Sequence, residues 1–246
     1  MNNTGFDMAG QRVLISGAAG GIGIATARAL ASLGAALVLT DVVEMDGLVA
    51  ELAAEGAEAE AYPADVTDRA DVARLAEAVG EIDALAALAG ICPNDDWIED
   101  ADWDAVFHQV MDVNVLGSLN LARAWLPRMA ARGGGRMVLV GSIAGRSGGT
   151  SPIVQPHYVA SKGGIHAVTH WLARRAAPDG VIVNAVAPGP VETAMTAGVP
   201  YSRDAYLLGR IGRPEEIAWP IAFLCSPAAS YTVGAVLDVN GGLHFS

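Results

Sequence analysis

The strongest constraint on this chain is a regular alternation of short, nearly all-apolar runs with longer helical patterns. The apolar runs fall at 13–16, 36–40, 58–64, 84–89, 136–140, 181–186 and 235–239. Helical patterns fall between them at 22–33, 44–55, 71–79, 103–132, 158–176 and 215–224. The 103–132 stretch is long enough for two helices, the second opening near Asn114. A strand that is apolar throughout has no face to give to water, so such strands form a parallel sheet covered by helices on both sides. The expected architecture is α/β: a single-domain, Rossmann-like, doubly wound parallel sheet over residues 1–246. The length suits one such unit, and neither a composition break nor a linker interrupts it.

Composition narrows the partners. The formal net charge is −12, which repels nucleic acid and anionic membranes alike. Cys92 and Cys225 form neither a CxxC pair nor a metal-ligand spacing, so no metal is expected and a reducing cytoplasm fits. The first twelve residues lack a basic stretch followed by an apolar one, so a signal peptide is not expected. No apolar run reaches the ~18 residues of a membrane span. A cytoplasmic enzyme with a small-molecule substrate is the expectation.

In an open parallel sheet, ligands bind beyond the carboxyl ends of the strands. The first run ends in Ser16-Gly17-Ala18-Ala19-Gly20-Gly21-Ile22-Gly23 and opens directly into a helix. Glycines let the backbone approach a pyrophosphate, and the helix start offers free N–H groups and a positive dipole end. Asp41 ends the second run, placed to accept hydrogen bonds from the adenosine ribose and to repel a 2′-phosphate. NAD is therefore the expected cofactor rather than NADP.

Tyr158 and Lys162 are four residues apart on an expected helix and share one face. A nearby ammonium favours the phenolate and lowers a tyrosine pKa from its usual value of about 10. That makes the pair a candidate acid/base for alcohol oxidation and ketone reduction. Ser142 ends the preceding strand, where its hydroxyl could share the substrate oxygen.

With these residues together, the chain resembles the short-chain dehydrogenase/reductase family, Tyr-x-x-x-Lys type, over essentially its whole length. The matching motifs are the Gly17/Gly21/Gly23 turn, Asp65-Val66, Asn114, Ser142, Tyr158-x-x-x-Lys162, Pro188-Gly189-Pro190-Val191-Glu192-Thr193 and the terminal Val239-Asn240-Gly241-Gly242. The resemblance implies that Tyr158 is the acid/base and that Lys162 lowers its pKa and holds the nicotinamide ribose. Ser142 would orient the substrate oxygen, and Asn114 would anchor a water in a proton relay. Asp65 and Val66 would flank the adenine, and Val191 and Thr193 would contact the carboxamide. Gly90 would keep the cofactor approach open, and Pro188 and Gly189 would also bind the cofactor. NADP-using relatives often carry a basic residue before Gly21; here it is Gly20, in agreement with Asp41. The terminal motif resembles the family's subunit-contact region, implying a homodimer or homotetramer.

Three departures stand out. Ala87-Leu88-Ala89-Gly90 replaces the family's usual Asn-Asn-Ala-Gly, which puts sheet-edge stabilisation in question more than chemistry. The 71–79 helix is shorter than usual. Ser16 stands for the usual Thr and keeps a hydroxyl.

The substrate pocket is expected to draw on Trp97, Ile143, Ile153, Gln155, Met195, Tyr201 and Tyr206, with 194–208 as a lid. These large, mostly apolar walls suit an aromatic or alicyclic substrate. His157 is not read as a proton carrier, because adjacent helix residues do not face each other. The leading function is reversible NAD(H)-dependent interconversion of a secondary alcohol and a ketone. A 3-oxoacyl thioester reductase is the alternative, which Asp41 opposes because biosynthetic reduction usually draws on NADPH. In enoyl reductases of this family the lysine lies further from the tyrosine. A non-catalytic dinucleotide sensor would have no need of Ser142, Tyr158 and Lys162.

Overall fold

A computed structural model describes residues 5–149, 154–199, 201, 204 and 206–246. The strands are β1 (Arg12–Ser16), β2 (Ala36–Thr40), β3 (Ala59–Ala61), β4 (Ala84–Ala87), β5 (Gly135–Val140), β6 (Val181–Pro188) and β7 (Val236–Val239). They form one sheet in the order β3-β2-β1-β4-β5-β6-β7, and every pairing is parallel. The chain winds outward from β1 to β3, then crosses back to β4 and winds the other way. This is the Rossmann-like doubly wound arrangement, with its switch point between β1 and β4.

The main helices are α1 (Gly21–Ser32), α2 (Asp46–Ala54), α3 (Arg69–Val79), α4 (Trp103–Met111), α5 (Ser118–Ala131), α6 (Ala144–Ser147), α7 (Pro156–Ala176) and α8 (Pro214–Cys225). Although the strands are mostly apolar, with Arg12, Glu60, Arg136, Asn184 and Asp238 among the exceptions, their side chains still alternate between two cores. Val13, Ile15, Ala86 and Val138 pack with Leu30 of α1 and Ile221 of α8. Leu14, Leu85, Met137 and Leu139 pack on the other face with Leu75 of α3, Trp125 of α5 and Leu172 of α7. Trp125 is fully buried and spends its indole N–H on the carbonyl of Gly80, 3.0 Å away.

The sequence reading needs four corrections here. Of the 58–64 run only Ala59–Ala61 forms a regular edge strand, although the N–H groups of Tyr62 and Ala64 still donate to the carbonyls of Leu39 (2.9 Å) and Asp41 (3.0 Å); Pro63, which has no N–H to donate, falls between them on the open edge. The α3 helix starts at Arg69, two residues early, where Asp68 caps it by accepting the N–H of Ala70 at 2.8 Å. No new helix opens at Asn114: residues Asp112–Gly117 form a π-helical segment that runs straight from α4 into α5. Finally, β4 is a central strand, so Ala87-Leu88 lies at no sheet edge. The Ser16 hydroxyl accepts the N–H groups of Leu88 (3.2 Å) and Ala89 (3.4 Å) and so ties β1 to the end of β4. Among the described residues, no helix is long and apolar enough to cross a membrane.

Candidate active site

The Gly-rich turn sits at the carboxyl end of β1, beside the switch point. Gly17 has φ +67°, and a Cβ there would lie 2.7 Å from the Ala89 nitrogen. A Cβ on Gly23 would lie 2.1 Å from the Gly17 carbonyl oxygen. Side chains at either position would push the turn out of its path. No side chain caps α1, so the N–H groups of its first turn, at Gly21, Ile22 and Gly23, are left for an anion. Thr193 overhangs this turn; a Cβ on Gly21 would meet its Cγ2 at 2.9 Å. Asp41 lies at the rim, its carboxylate accepting the N–H of Ala19 (3.0 Å) and of Val42 (2.8 Å). Two of its roughly four lone-pair sites remain for a ligand. A bare helix start and a close-packed glycine turn fit the pyrophosphate of a dinucleotide, with an acidic side chain at the rim.

Further along the crevice, Asp65 is exposed and accepts the N–H and hydroxyl of Thr67, while Val66 is buried. The Val66 carbonyl accepts from Asn120 at 2.9 Å.

Small residues bring the next groups together. A Cβ on Gly145 of α6 would fall 2.6 Å from the Lys162 carbonyl carbon, so α6 lies directly on α7. That contact carries Ser142, at the end of β5, to the face of α7 that bears Tyr158 and Lys162. The three share a cavity of about 290 Å³ with Ile22, Gly90, Ile143, Pro188, Gly189, Val191, Thr193, Met195 and Tyr201. The Lys162 ammonium donates to the Val140 carbonyl at 2.9 Å and lies 5.6 Å from the centre of the Tyr158 ring. A Cβ on Gly90 would lie 3.3 Å from Lys162 Nζ and from Asn114 Oδ1.

Burial governs the ionisation of both groups. It pushes the Tyr158 phenol above its ordinary value, Cys92 adds to this, and a hydrogen bond with Ser142 works against it. It brings Lys162 down to about 8. The expected downward pull of Lys162 on Tyr158 is thus smaller than the opposing effect of burial. On the same helix, His166 accepts the Ser142 N–H at 3.4 Å, and burial, reinforced by Arg146, lowers its pKa to about 4. It is therefore a neutral acceptor near pH 7.

Asn114 does not line the cavity. Its amide is spent behind the wall, accepting the Ile91 N–H (2.8 Å) and donating to the Ile91 carbonyl and the Ser161 hydroxyl, both at 3.0 Å. π-Helical turns recur at functional sites, and this one aims Asn114 at the end of β4.

Several pocket expectations do not hold. Trp97 is 55% exposed and outside the cavity wall. Gln155 is buried but does not line the cavity. Tyr206 instead lines a separate cavity of about 480 Å³ by the C-terminal residues, which contains none of Ser142, Tyr158 or Lys162. Ile153, and residues 200, 202, 203 and 205 of the expected lid, lie outside the described residues. Cys92 and Val154 line the cavity outside the expected segments, and Asn94 and Val199 line it from within the expected 93–97 and 194–208 segments. They come from loops whose composition carries no periodic signal.

A family model described as enoyl-(acyl carrier protein) reductase matches residues 17–244. The chain belongs to the short-chain dehydrogenase/reductase family. It is 40% identical over 239 residues to a cis-4-hydroxycyclohexanecarboxylate dehydrogenase of Sinomonas cyclohexanicum, covering 93% of this chain and 94% of the relative. It is 41% identical over 251 residues to a galactitol 2-dehydrogenase (L-tagatose-forming) of Cereibacter sphaeroides, covering 97% of each. The fold matches the crystal structure of a gluconate 5-dehydrogenase from Burkholderia cenocepacia in complex with NADP and tartrate. That match has a TM-score of 0.87 and 31% identity, and covers 97% of this chain and 96% of the other. As a member of this family of oxidoreductases, the chain binds a nicotinamide dinucleotide.

Proposed function

We propose that this chain is an NAD(H)-dependent dehydrogenase that interconverts a secondary alcohol and a ketone on an apolar, aromatic or alicyclic substrate. The observation that carries this reading is the meeting of Ser142, Tyr158 and Lys162 in one cavity, walled mainly by apolar groups and lined also by Gly90 and Gly189. The nicotinamide, when bound, supplies the hydride acceptor or donor. Tyr158 takes the hydroxyl proton in oxidation and returns it in reduction. Ser142 holds the substrate oxygen, and Lys162 holds the ribose while its charge favours the phenolate. Asn114 supports the wall from behind. Gly17, Gly21, Ile22 and Gly23 would hold the pyrophosphate. Asp41 would take the adenosine ribose, Asp65 and Val66 would flank the adenine, Val191 and Thr193 would contact the carboxamide, and Pro188 and Gly189 would also bind the cofactor.

With Tyr158 raised by burial, the base form needed for oxidation becomes more abundant as pH rises. Oxidation therefore speeds up toward alkaline pH, whereas reduction is well supplied with the acid form near neutrality.

The choice of NAD rests on Asp41 and Gly20, since a structural neighbour holds NADP. A cyclohexane-ring acid is the substrate class of one relative, which agrees with an alicyclic ligand. Assembly as a homo-oligomer and a cytoplasmic setting complete the reading. The test is NADH formation from a panel of cyclic, aromatic and polyol secondary alcohols at alkaline pH, repeated with NADP. Cyclic or aromatic alcohols with NAD should lead in kcat/KM. Asp41→Ser should narrow the NAD preference by about tenfold or more, roughly 1.4 kcal/mol. Preference of the native chain for NADP, or for polyols, would overturn the finer assignment.

A further inference from the structure

The loop that follows β4 has two anchors, with cavity wall hung between them. The first is at Ile91, whose N–H and carbonyl are both held by the Asn114 amide. The next residues facing the cavity are Cys92 and Asn94. The loop then turns, and Asp95 points away into the protein. Its side chain is only 7% exposed and its Oδ1 lies 2.9 Å from Nε2 of the fully buried His157. A carboxylate can only accept, so the proton of this bond sits on Nε2 of the imidazole. Trp103 of α4 stacks on the imidazole, with ring centroids 5.9 Å apart and planes 24° apart, and Phe107 backs Trp103 at 5.4 Å.

His157 directly precedes Tyr158 in the first turn of α7. The bond therefore joins the substrate-side loop to the helix that carries the acid/base. Taking such a pair out of water is costly, and apolar residues of similar volume usually stabilise a fold as well or better. What an apolar contact lacks is direction. A hydrogen-bonded pair fixes distance and angle, and the aromatic stack holds the imidazole plane.

We infer that Asp95 and His157 are positioning residues that fix Cys92 and Asn94 relative to Tyr158 and so set the fit of the substrate. The substrate part of this inference rests on the dehydrogenase reading above; the loop anchoring does not.

The test uses the whole protein and two readouts. The first is the split between KM for the alcohol, KM for NAD and kcat. The second is the rate of iodoacetamide alkylation at Cys92, located by peptide mapping. Cys225 is a silent internal control, because it is buried and its thiol is pushed up to about 12. In Asp95→Ala, KM for the alcohol should rise about tenfold, a change of about 1.4 kcal/mol, with KM for NAD within twofold. The Cys92 alkylation rate should change several-fold. Asp95→Asn keeps an acceptor oxygen and should restore most of both. His157→Ala should copy Asp95→Ala, and the double variant should be no worse than either single one.

A fall in melting temperature with unchanged alcohol KM and unchanged Cys92 labelling would overturn the inference and leave a merely structural pair. So would an Asp95→Asn variant no better than Asp95→Ala. Should Asp95→Ala fail to fold, the labelling rate and alcohol KM of a His157→Phe variant, which keeps a ring in the stack but has no N–H for Asp95, decide the matter, wild-type values in both readouts overturning it. If no alcohol in the panel is oxidised, altered labelling would still support the anchor, and the failure would fall on the dehydrogenase reading alone.

Discussion

The two halves of the crevice are built on different terms. The cofactor half rests on β1, β2 and the start of α1, and its shape is set mainly by backbone, a Gly17 carbonyl and bare helix N–H groups, with the single side chain of Asp41 at the rim. The substrate half rests on loops after β4, β5 and β6, and its shape is set by side chains such as Cys92, Asn94, Met195 and Tyr201. Where backbone makes the site, few sequences will serve, and the site can be read from glycine spacing. Where side chains on loops make it, many sequences serve, and specificity can drift without disturbing the cofactor. Tyr158 and Lys162 stand at the border between the two.

The comparison can be broken at four points. The largest effect is expected at the border. Tyr158→Phe removes the proton-carrying oxygen and should lower kcat by about 10²–10⁴, with NAD affinity nearly intact in a fluorescence titration. Turnover near wild type would take Tyr158 out of the chemistry.

Next comes the backbone half. Gly23→Ala places a methyl where the Gly17 carbonyl sits. An overpacking cost of about 1–3 kcal/mol should weaken NAD binding by roughly five- to 150-fold, while residual activity keeps its ranking of alcohols. A changed ranking would mean that the halves are not separable.

The third point is electrostatic. Lys162→Met removes an ammonium that favours the phenolate, so below about pH 8, with NAD saturating, the variant's oxidation profile should lie about one pH unit to the alkaline side of the wild type. That corresponds to about a tenfold loss of rate near neutrality. Lys162 itself loses its proton near pH 8, so the wild-type and variant profiles should converge above that pH. Parallel profiles with only weaker NAD binding would leave Lys162 as a cofactor ligand.

The smallest effect is expected at the loop surface. Trp97 is exposed and outside the cavity, so Trp97→Ala should leave kcat/KM within about twofold, as exposed substitutions usually do. A loss beyond tenfold would show that the loop folds over the substrate.

The same division explains what the sequence made legible. The seven strands and the glycine turn stood out because apolar runs and glycine spacing have few other uses. Tyr158, Lys162 and Ser142 were readable because helical period and strand end put them on one crevice. Trp97 was misplaced because size and apolarity alone do not say which way a loop side chain turns. Asp95 and His157 were missed as a pair because 62 residues separate them and neither lies in a motif. The rank order of charge effects at Tyr158 was also hidden, since burial depends on packing that spacing does not encode.

The π-helical segment at Asp112–Gly117 has a consequence for phase. One residue advances an α-helix by about 100°, so an extra residue in a plain α-helix would turn everything after it by that angle. A π-helical turn instead takes up an extra residue in one wider turn, and the helix after it keeps its face. Val110 before the segment and Leu121, Trp125 and Met129 after it are all buried, while Asn114 reaches the end of β4. A deletion of one residue here should therefore restore a plain α-helical turn, keep the buried face of α5 and withdraw Asn114 from Ile91.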